Sequence, residues 1–260
     1  MAAEPRAVPL GDGVVLRLAP PAAGCGVHDD PRNAPLLRAL RHRAVRLDGA
    51  RVLDVGAGNG VFGLAAGVLG AKEVVLTDSH PDAAALALRN AQLNSLGPPR
   101  VRAYTGDFLE PVTSASLPPF DVVLMNPPQM GGPQPQLAAS RPDKSAGRDG
   151  ALFHVRLAQE VGAVLKPGGR VLYCATGLTN RRRAAEAFAA AGFSAPPLVV
   201  AQQQRRFTAA GLDALCDGLM AHQLKQRQRG EAEFEEEEAL GDGGTSYRMV
   251  QEVLLVQRGA

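Results

Sequence analysis

Short apolar runs alternate with helix-forming segments along this chain, and the alternation constrains the fold more than any other feature. The clearest apolar runs are 51–55, 73–78, 100–105, 121–125 and 170–175. Strands that alternate with helices predict a parallel, doubly wound sheet, because each helix returns the chain across one face of the sheet. We therefore expect an α/β fold.

Two further runs, 195–201 and 247–257, raise the number of predicted strands to seven. Residues 208–245 do not fit the alternation. They contain a helix-like segment at 208–228 and an acidic run at 231–238. A run of like charges predicts a solvated helix face or a loop.

The composition limits the classes of function. The net charge of +2 is too small to indicate nucleic acid, and aromatic residues make up only 4% of the chain, which argues against nucleic acid as a partner. The three cysteines lack metal-ligand spacing and fit a reducing compartment. No apolar run approaches the ~20 residues of a membrane span. We expect a cytoplasmic protein with no membrane partner and no metal.

A glycine-rich loop follows the first buried strand. Asp54 precedes Gly56, Gly58 and Gly60, and a helical pattern begins directly afterwards. Glycines let the backbone approach a ligand closely, and the start of a helix directs N–H groups at that ligand. The spacing differs from the dinucleotide fingerprint by one residue. A tight turn without a ligand is the alternative.

Acidic residues follow the next two predicted strands. Asp78 ends the second strand, at the position where a carboxylate can bind ribose hydroxyls, and Ser79 adjoins it. Asp107 follows the third strand; it can accept from an adenine amine while Phe108 packs against the base. The alternatives are a helix cap for Asp78 and a turn residue for Asp107. Ligands of open α/β sheets bind at this edge, so we predict a nucleotide-like cofactor there.

A stiff turn, Asn126-Pro127-Pro128-Gln129, leaves the fourth strand. Two prolines fix φ and remove N–H donors, so the carbonyls of the turn remain acceptors. The Asn126 amide oxygen and the following backbone carbonyl can each accept one N–H from a substrate –NH2 group, which orients the nitrogen lone pair. A strand exit with Asn126 as a turn former is the alternative.

These residues resemble the class I S-adenosylmethionine-dependent methyltransferases over about 52–175. The resemblance implies a seven-stranded Rossmann-like sheet with an antiparallel last strand. It places Gly56, Gly58 and Gly60 along the amino-acid end of S-adenosylmethionine, with Asp78 on the ribose and Asp107 on the adenine. It implies a methyltransferase domain over 51–260 with an insertion at about 203–245, preceded by a cap on the substrate side at 1–50.

The turn is similar to that of methyltransferases that act on amide or exocyclic amine nitrogens. With Gly147-Arg-Asp149-Gly150 downstream, the chain looks like the release-factor glutamine N-methyltransferases and their relatives. The resemblance implies that Asn126 and the Pro127 carbonyl bind the accepting nitrogen. Asn126 is also expected to contact the cofactor, as are Asp54 and Ser79. Gln129 replaces an aromatic residue, which favours a smaller or more polar acceptor.

Three functions stay open on the sequence. The first is N-methylation of a protein glutamine or another planar nitrogen. The second is methylation of a small molecule, on sulfur or on an amine, since a methionine S-methyltransferase carries a related Pro-Gln turn. The third is a cofactor-binding partner subunit without catalysis. The methyl acceptor and the oligomeric state are not determined.

Other polar residues have simpler interpretations. His28 is expected in a surface loop, although it could contact substrate, and His154 is expected to be partly buried. His80 is expected to start a helix. The arginines at 181–183 and 205–206 are expected to be solvated charges rather than phosphate ligands.

Overall fold

The computed structural model describes residues 4–20, 33–237 and 245–259. Strands and helices alternate in it as predicted. The strands are β1 (Arg6–Gly11), β2 (Val14–Leu18), β3 (Arg51–Val55), β4 (Glu73–Asp78), β5 (Val101–Thr105), β6 (Phe120–Met125), β7 (Leu165–Thr176), β8 (Leu198–Thr208), β9 (Phe234–Glu237) and β10 (Ser246–Gln257). The helices are α1 (Ala34–Arg41), α2 (Val61–Val68), α3 (Pro81–Leu93), α4 (Glu110–Ser114), α5 (Gln136–Ser140), α6 (Leu152–Glu160), α7 (Arg181–Ala190), α8 (Ala209–Asp213) and α9 (Leu219–Gln228).

The described residues divide into two compact units. The first unit contains the described residues of 1–126, 160–173 and 255–260. The second unit contains the described residues of 127–159 and 174–254. Strands β7 and β10 contribute residues to both units. The domain boundary predicted near residue 50 stays a prediction.

The first unit is built on parallel strands in the order β5-β4-β3-β6-β7. Every residue of β3 is buried. A central strand covered by helices on both faces needs apolar side chains on both sides, which explains the continuous apolar runs of the sequence. Helix α2 lies close to β4, and at Gly63 an added Cβ would come within 2.4 Å of Leu76 Cδ2.

The predicted antiparallel last strand is confirmed. The order continues from β7 to β10 and ends at β8. Gly169 O accepts from Arg258 N–H at 2.9 Å, and Gly177 N–H donates to Val250 O at 2.9 Å. The partner residue moves backwards along β10 as β7 moves forwards, which is the pattern of an antiparallel pair.

An eighth strand of the sheet, β9, corrects the interpretation of the acidic run. Phe234 is buried and pairs with Met249, while Glu235 faces Arg248 across the antiparallel β9–β10 pair. Opposite charges on directly paired positions stabilise two strands, so part of the run forms a strand rather than a helix face or a loop. Glu238 lies outside the described residues.

The insertion has a hydrophobic core within the second unit. The buried side chains come from α5, α8, α9 and the β9–β10 pair, and Phe207, Phe234 and Tyr247 pack their rings at centroid distances of 5.4 to 5.6 Å. The helix-like pattern of 208–228 is therefore confirmed as two helices, α8 and α9, with a break between them.

Strand β8 begins later and runs longer than the predicted 195–201. Pro196 and Pro197 precede it, and proline lacks the N–H that a strand ladder requires. The short helix α5 lies in the proline- and glycine-rich stretch that follows β6. No helix in the described part of the chain is long and apolar enough to cross a membrane. The cytoplasmic location stays a prediction.

Candidate active site

The carboxyl ends of four parallel strands meet at one edge of the first unit's sheet. Val55 is in register with Thr77 on one side and with Met125 on the other. Neighbouring strands lie about 4.8 Å apart, so Gly56 and Asn126 leave adjacent strands side by side. The structure thus brings together the glycine-rich loop and the start of the proline turn, as the sequence predicts.

The glycine-rich loop has the backbone conformation that glycine favours. Gly56, Gly58 and Gly60 have φ values of +69°, +55° and +82°. The N–H groups of Gly56 and Ala57 both donate to Thr77 O, at 2.8 and 2.9 Å, which fixes the loop to β4. A Cβ added to Gly56 would meet no atom within 4 Å among the described residues. As far as the described residues show, the space beside Gly56 is therefore open to a ligand.

Asp54 is a fully buried acid at the end of β3. Its Oδ2 accepts from Gly63 N–H at 2.8 Å, and its Oδ1 has no hydrogen-bond partner in the part of the chain that the structure describes. Burial raises the pKa of Asp54 to about 7; the Gly63 hydrogen bond opposes the rise, and the charge of Asp78 adds to it. A buried acceptor without a donor suits a cationic group of a ligand.

Asp78 connects the glycine-rich loop to the start of α3. Its Oδ2 accepts from Gly58 N–H and its Oδ1 from His80 N–H, each at 2.8 Å. A carboxylate offers about four lone-pair positions, so acceptor capacity remains for two hydroxyl groups. His80 is the helix-start residue, as predicted, because its Nδ1 accepts from Asp82 N–H at 3.3 Å. Helix capping, the alternative role for Asp78, thus belongs to His80, and exposed Ser79 lies between the two.

The end of β5 adjoins the end of β4. Gly106 N–H donates to Asp78 O at 3.0 Å, which brings the exposed Asp107 and the half-buried Phe108 to the same edge. Phe108 has φ +54°, in a region that aromatic residues seldom adopt. This backbone conformation redirects the chain after β5, before buried Leu109 begins the approach to α4.

Two asparagines that the sequence analysis did not identify support the site. Asn90, fully buried on α3, donates to Asn59 O in the glycine-rich loop and accepts from Ala19 N–H, at 2.8 and 2.7 Å. Asn33 Oδ1 accepts from Asn126 Nδ2 at 3.2 Å. The one available sequence signal for Asn33 was its position before the Ala-Pro start of α1, which indicates a helix cap and not a contact with Asn126.

The turn continues into the second unit, where its backbone is fixed. Gln129 O accepts from Thr179 Oγ1 at 3.1 Å. At Gly150, whose φ is +77°, an added Cβ would come within 2.6 Å of Gln129 O, so only glycine fits there. Pro127 and Gln129 are both partly exposed. Their predicted contacts with a substrate stay a prediction.

Helix α9 supports the loop that follows the turn. Gln223 Nε2 donates to Gly131 O at 2.6 Å, and Gln226 Nε2 donates to Arg148 O at 2.7 Å. His222 Nε2 also lies 2.8 Å from Arg148 O. Both glutamines are almost fully buried, with 0% and 1% exposure. This role of the insertion was not predicted, because polar side chains in a helix pattern indicate a solvated face.

The remaining candidates have structural roles. His154 is fully buried with its Nε2 2.8 Å from Cys174 O, and burial lowers its pKa to about 4, against the opposing effect of hydrogen bonds to Cys174 and Gly150. Arg181 pairs with Glu233 and Glu252.

Arg183 and Arg206 also form ion pairs. Arg183 pairs with Asp149, and Arg206 pairs with Glu237, at 2.9 and 2.7 Å. His28 lies outside the described residues. Within the described ranges, no group of three or more His, Cys, Asp or Glu side chains could hold a metal ion.

Known proteins are similar to this chain in sequence. The family described as the methyltransferase small domain matches residues 28–141. A Methanocaldococcus jannaschii protein named as a protein N5-glutamine methyltransferase is 31% identical over 144 residues, which are 55% of this chain and 70% of that relative. The chain belongs to the S-adenosylmethionine-dependent methyltransferases. S-adenosylmethionine is the cofactor of that family, which confirms the predicted cofactor.

Other relatives of this methyltransferase match over part of their length. The release factor glutamine methyltransferase of Deinococcus radiodurans is 34% identical over 152 residues, 55% of this chain and 51% of that relative. The ribosomal protein L11 methyltransferase of Dichelobacter nodosus is 40% identical over 97 residues, 37% of this chain and 32% of that relative. The chain thus spans about half and about a third of these two proteins.

A solved structure confirms the methyltransferase fold. It is a methyltransferase in complex with SAH, with a TM-score of 0.58 and 12% sequence identity. The match covers 99% of this chain and 57% of that one.

Proposed function

We propose that this methyltransferase transfers the methyl group of S-adenosylmethionine to a planar nitrogen, of the amide or amine class, that is bound at Asn126. The register of Val55 with Met125 is the observation that carries the proposal, because it places Gly56 and Asn126 on adjacent strand ends. A cofactor that lies along the glycines then has its reacting end beside the Asn126 side chain.

The described residues fit the cofactor. Among the described residues, the space beside Gly56 is open for the amino-acid end, and Asp54 Oδ1 has no partner and provides an acceptor for its ammonium group. Asp78, with Ser79 beside it, has acceptor capacity for the ribose hydroxyls, and Asp107 with Phe108 lies where the adenine would extend. Bound S-adenosylmethionine supplies a methyl group made electrophilic by the positive sulfur. The protein therefore needs to bind and orient the acceptor rather than supply a strong base.

Asn126 would orient the acceptor through its amide oxygen. Its Nδ2 donates to Asn33, and we assign the acceptor oxygen at the other end of the planar amide to a substrate N–H. The Pro127 carbonyl would accept the second N–H of an –NH2 group. Two acceptors fix the plane of the nitrogen and align its lone pair, and the acceleration comes from placement. The relatives named as glutamine methyltransferases support an amide as the acceptor.

A small molecule is the second candidate for the acceptor. Gln129 stands where an aromatic side chain would stack on a flat group, and an amide favours a smaller or more polar partner. A methyltransferase acting on sulfur or on a metabolite amine is the corresponding alternative. A cofactor-binding subunit without catalysis agrees less well with the family.

Labelled transfer into a cell lysate separates the candidates. The purified chain is incubated with lysate and S-adenosylmethionine tritiated in the methyl group, and the lysate is then divided by size. The proposal predicts label on macromolecules that acid hydrolysis releases as methylamine from an amide, or recovers as a methylated amine. Label in the small-molecule filtrate alone identifies the second candidate. Calorimetric binding of S-adenosylhomocysteine without any labelled product contradicts both.

A further inference from the structure

Asn33 occupies the cap position of α1 without capping the helix. Its side chain makes no hydrogen bond to the first turn of the helix, although asparagine at this position ordinarily accepts from a backbone N–H there. The side chain is instead buried, with 8% exposure, and its Oδ1 accepts from Asn126 Nδ2 at 3.2 Å across 93 residues of sequence. The contact with Asn126 thus replaces the ordinary function of this side chain.

Helix α1 fixes Asn33 relative to the glycine-rich loop. Its apolar face, which includes Leu36 and Leu40 at 0% exposure, is buried, and the helix packs against α2. Helix α2 begins directly after Gly60. The packing that positions the start of α2 therefore also positions Asn33. This gives Asn33 a fixed location beside Asn126.

The contact determines which end of the Asn126 amide a substrate meets. A side-chain amide has an oxygen acceptor and an –NH2 donor that exchange places when the group turns by half a rotation. The bond from Asn126 Nδ2 to the Asn33 oxygen holds one of these orientations, with the Asn33 oxygen facing Asn126. We propose that Asn33 is a positioning residue that holds the Asn126 oxygen toward the methyl-accepting nitrogen. This inference rests on the proposed function of Asn126.

Two substitutions at Asn33 separate orientation from folding. Asn33→Leu keeps the approximate size and removes the acceptor, whereas Asn33→Asp keeps an oxygen that can accept from Asn126 Nδ2. Methyl transfer is measured with tritiated S-adenosylmethionine on the lysate fraction that the full chain labels, and affinity is measured by calorimetry with S-adenosylhomocysteine. Asn33→Leu is expected to slow transfer about 10- to 100-fold with affinity unchanged within about twofold. Asn33→Asp is expected to remain within about threefold of the wild-type rate.

The same change in an Asn126→Ala background tests whether Asn33 acts through Asn126. In that background Asn33→Leu should slow transfer by less than about twofold further, because the group it orients is gone. A full loss in both backgrounds, a wild-type rate for Asn33→Leu, or an equal loss for a folded Asn33→Asp overturns the inference.

Urea unfolding gives a readout that does not need an acceptor. It is measured for the wild type, Asn33→Leu, Asn126→Ala and the Asn33→Leu/Asn126→Ala double variant. Non-additive stabilities support the contact, and additive stabilities overturn it. Wild-type transfer by Asn126→Ala would overturn the proposed function instead, and the unfolding result would still report on the contact.

Discussion

Gly58 donates its backbone N–H to Asp78 Oδ2 at 2.8 Å, which joins the glycine-rich loop after β3 to the acid at the end of β4. Because His80 N–H occupies the other oxygen, Asp78 fixes the loop and still has lone pairs for a ligand. The ribose and the loop would therefore depend on one side chain.

Asp78→Ala is expected to weaken binding of S-adenosylhomocysteine by about 10- to 150-fold, the effect of about 1.5–3 kcal/mol for hydrogen bonds to a charged group. Calorimetry measures the change directly. Asp82→Ala, an exposed acid in the first turn of α3, is the matched control and should bind within about twofold of the wild type. Equal affinities for the Asp78 variant and the wild type would remove Asp78 from the cofactor site.

Asp54 should make the ligand-free protein less stable as the pH rises. Its pKa is raised from 3.8 to about 7, so between these values the folded chain keeps a proton that the unfolded chain has lost. The stability that this proton provides is complete below pH 3.8 and is lost as the pH passes 7. The Asp54→Asn variant has no carboxyl group to titrate at this position. The opposing titration of His154 is common to the variant and the wild type and cancels in the difference between their stabilities.

Urea unfolding at pH 5 and pH 8 tests this expectation. The free energy of unfolding of Asp54→Asn minus that of the wild type should increase between the two pH values by about 2–3 kcal/mol, from 1.36 kcal/mol per unit of pKa shift. A difference that stays constant with pH would show that Asp54 is ionised in the folded protein.

Gly63 should not tolerate a side chain, although it lies within a helix. Alanine stabilises an exposed helix by about 1 kcal/mol relative to glycine. At Gly63, however, the added Cβ would lie 2.4 Å from Leu76 Cδ2 and 3.0 Å from Val74 Cγ1, both on buried side chains. We expect Gly63→Ala to lower the free energy of unfolding by about 1–3 kcal/mol.

Gly162 provides the control for this prediction. It lies in the 3-10 turn Val161–Ala163, and an added Cβ there would meet no described atom within 4 Å. Gly162→Ala should leave the thermal midpoint unchanged or raise it slightly. Equal midpoints for the two variants would contradict the close approach of α2 to β4.

The two buried glutamines of α9 should differ in their effect on stability. Gly131 O depends on Gln223, whereas Arg148 O is contacted by both Gln226 and His222. Each glutamine also has a buried Oε1 without a partner among the described residues, so that contribution is the same for both. Gln223→Leu is therefore expected to destabilise by about 1–2 kcal/mol more than Gln226→Leu, because it alone leaves a buried carbonyl without a donor among the described residues. Chemical unfolding of both variants decides this, and the reverse order would be inconsistent with the observed contacts.

The fold could be predicted because its signals are local. Buried strands such as 51–55 are short apolar runs, and the turns after them contain glycine or proline where the backbone requires it. The acids at positions 54, 78 and 107 could be selected because parallel strands bring their carboxyl ends to one edge.

The contacts between distant segments could not be predicted. Asn33 and Asn126 are 93 residues apart, and an asparagine before a helix has a commoner explanation as a cap. Glu235 and Glu236 were interpreted from charge alone, whereas the opposing arginine on β10 and buried Phe234 make the segment a strand. In both cases the structure depends on a residue that is distant in the sequence.

The proposed function requires Asn126 to contribute much more to methyl transfer than to cofactor affinity, so the decisive measurement compares those two properties in Asn126→Ala. The account predicts that this variant binds S-adenosylhomocysteine within about twofold of the wild-type affinity and transfers tritiated methyl at least about 100-fold more slowly. Parallel losses of affinity and transfer, or transfer at the wild-type rate, would contradict it.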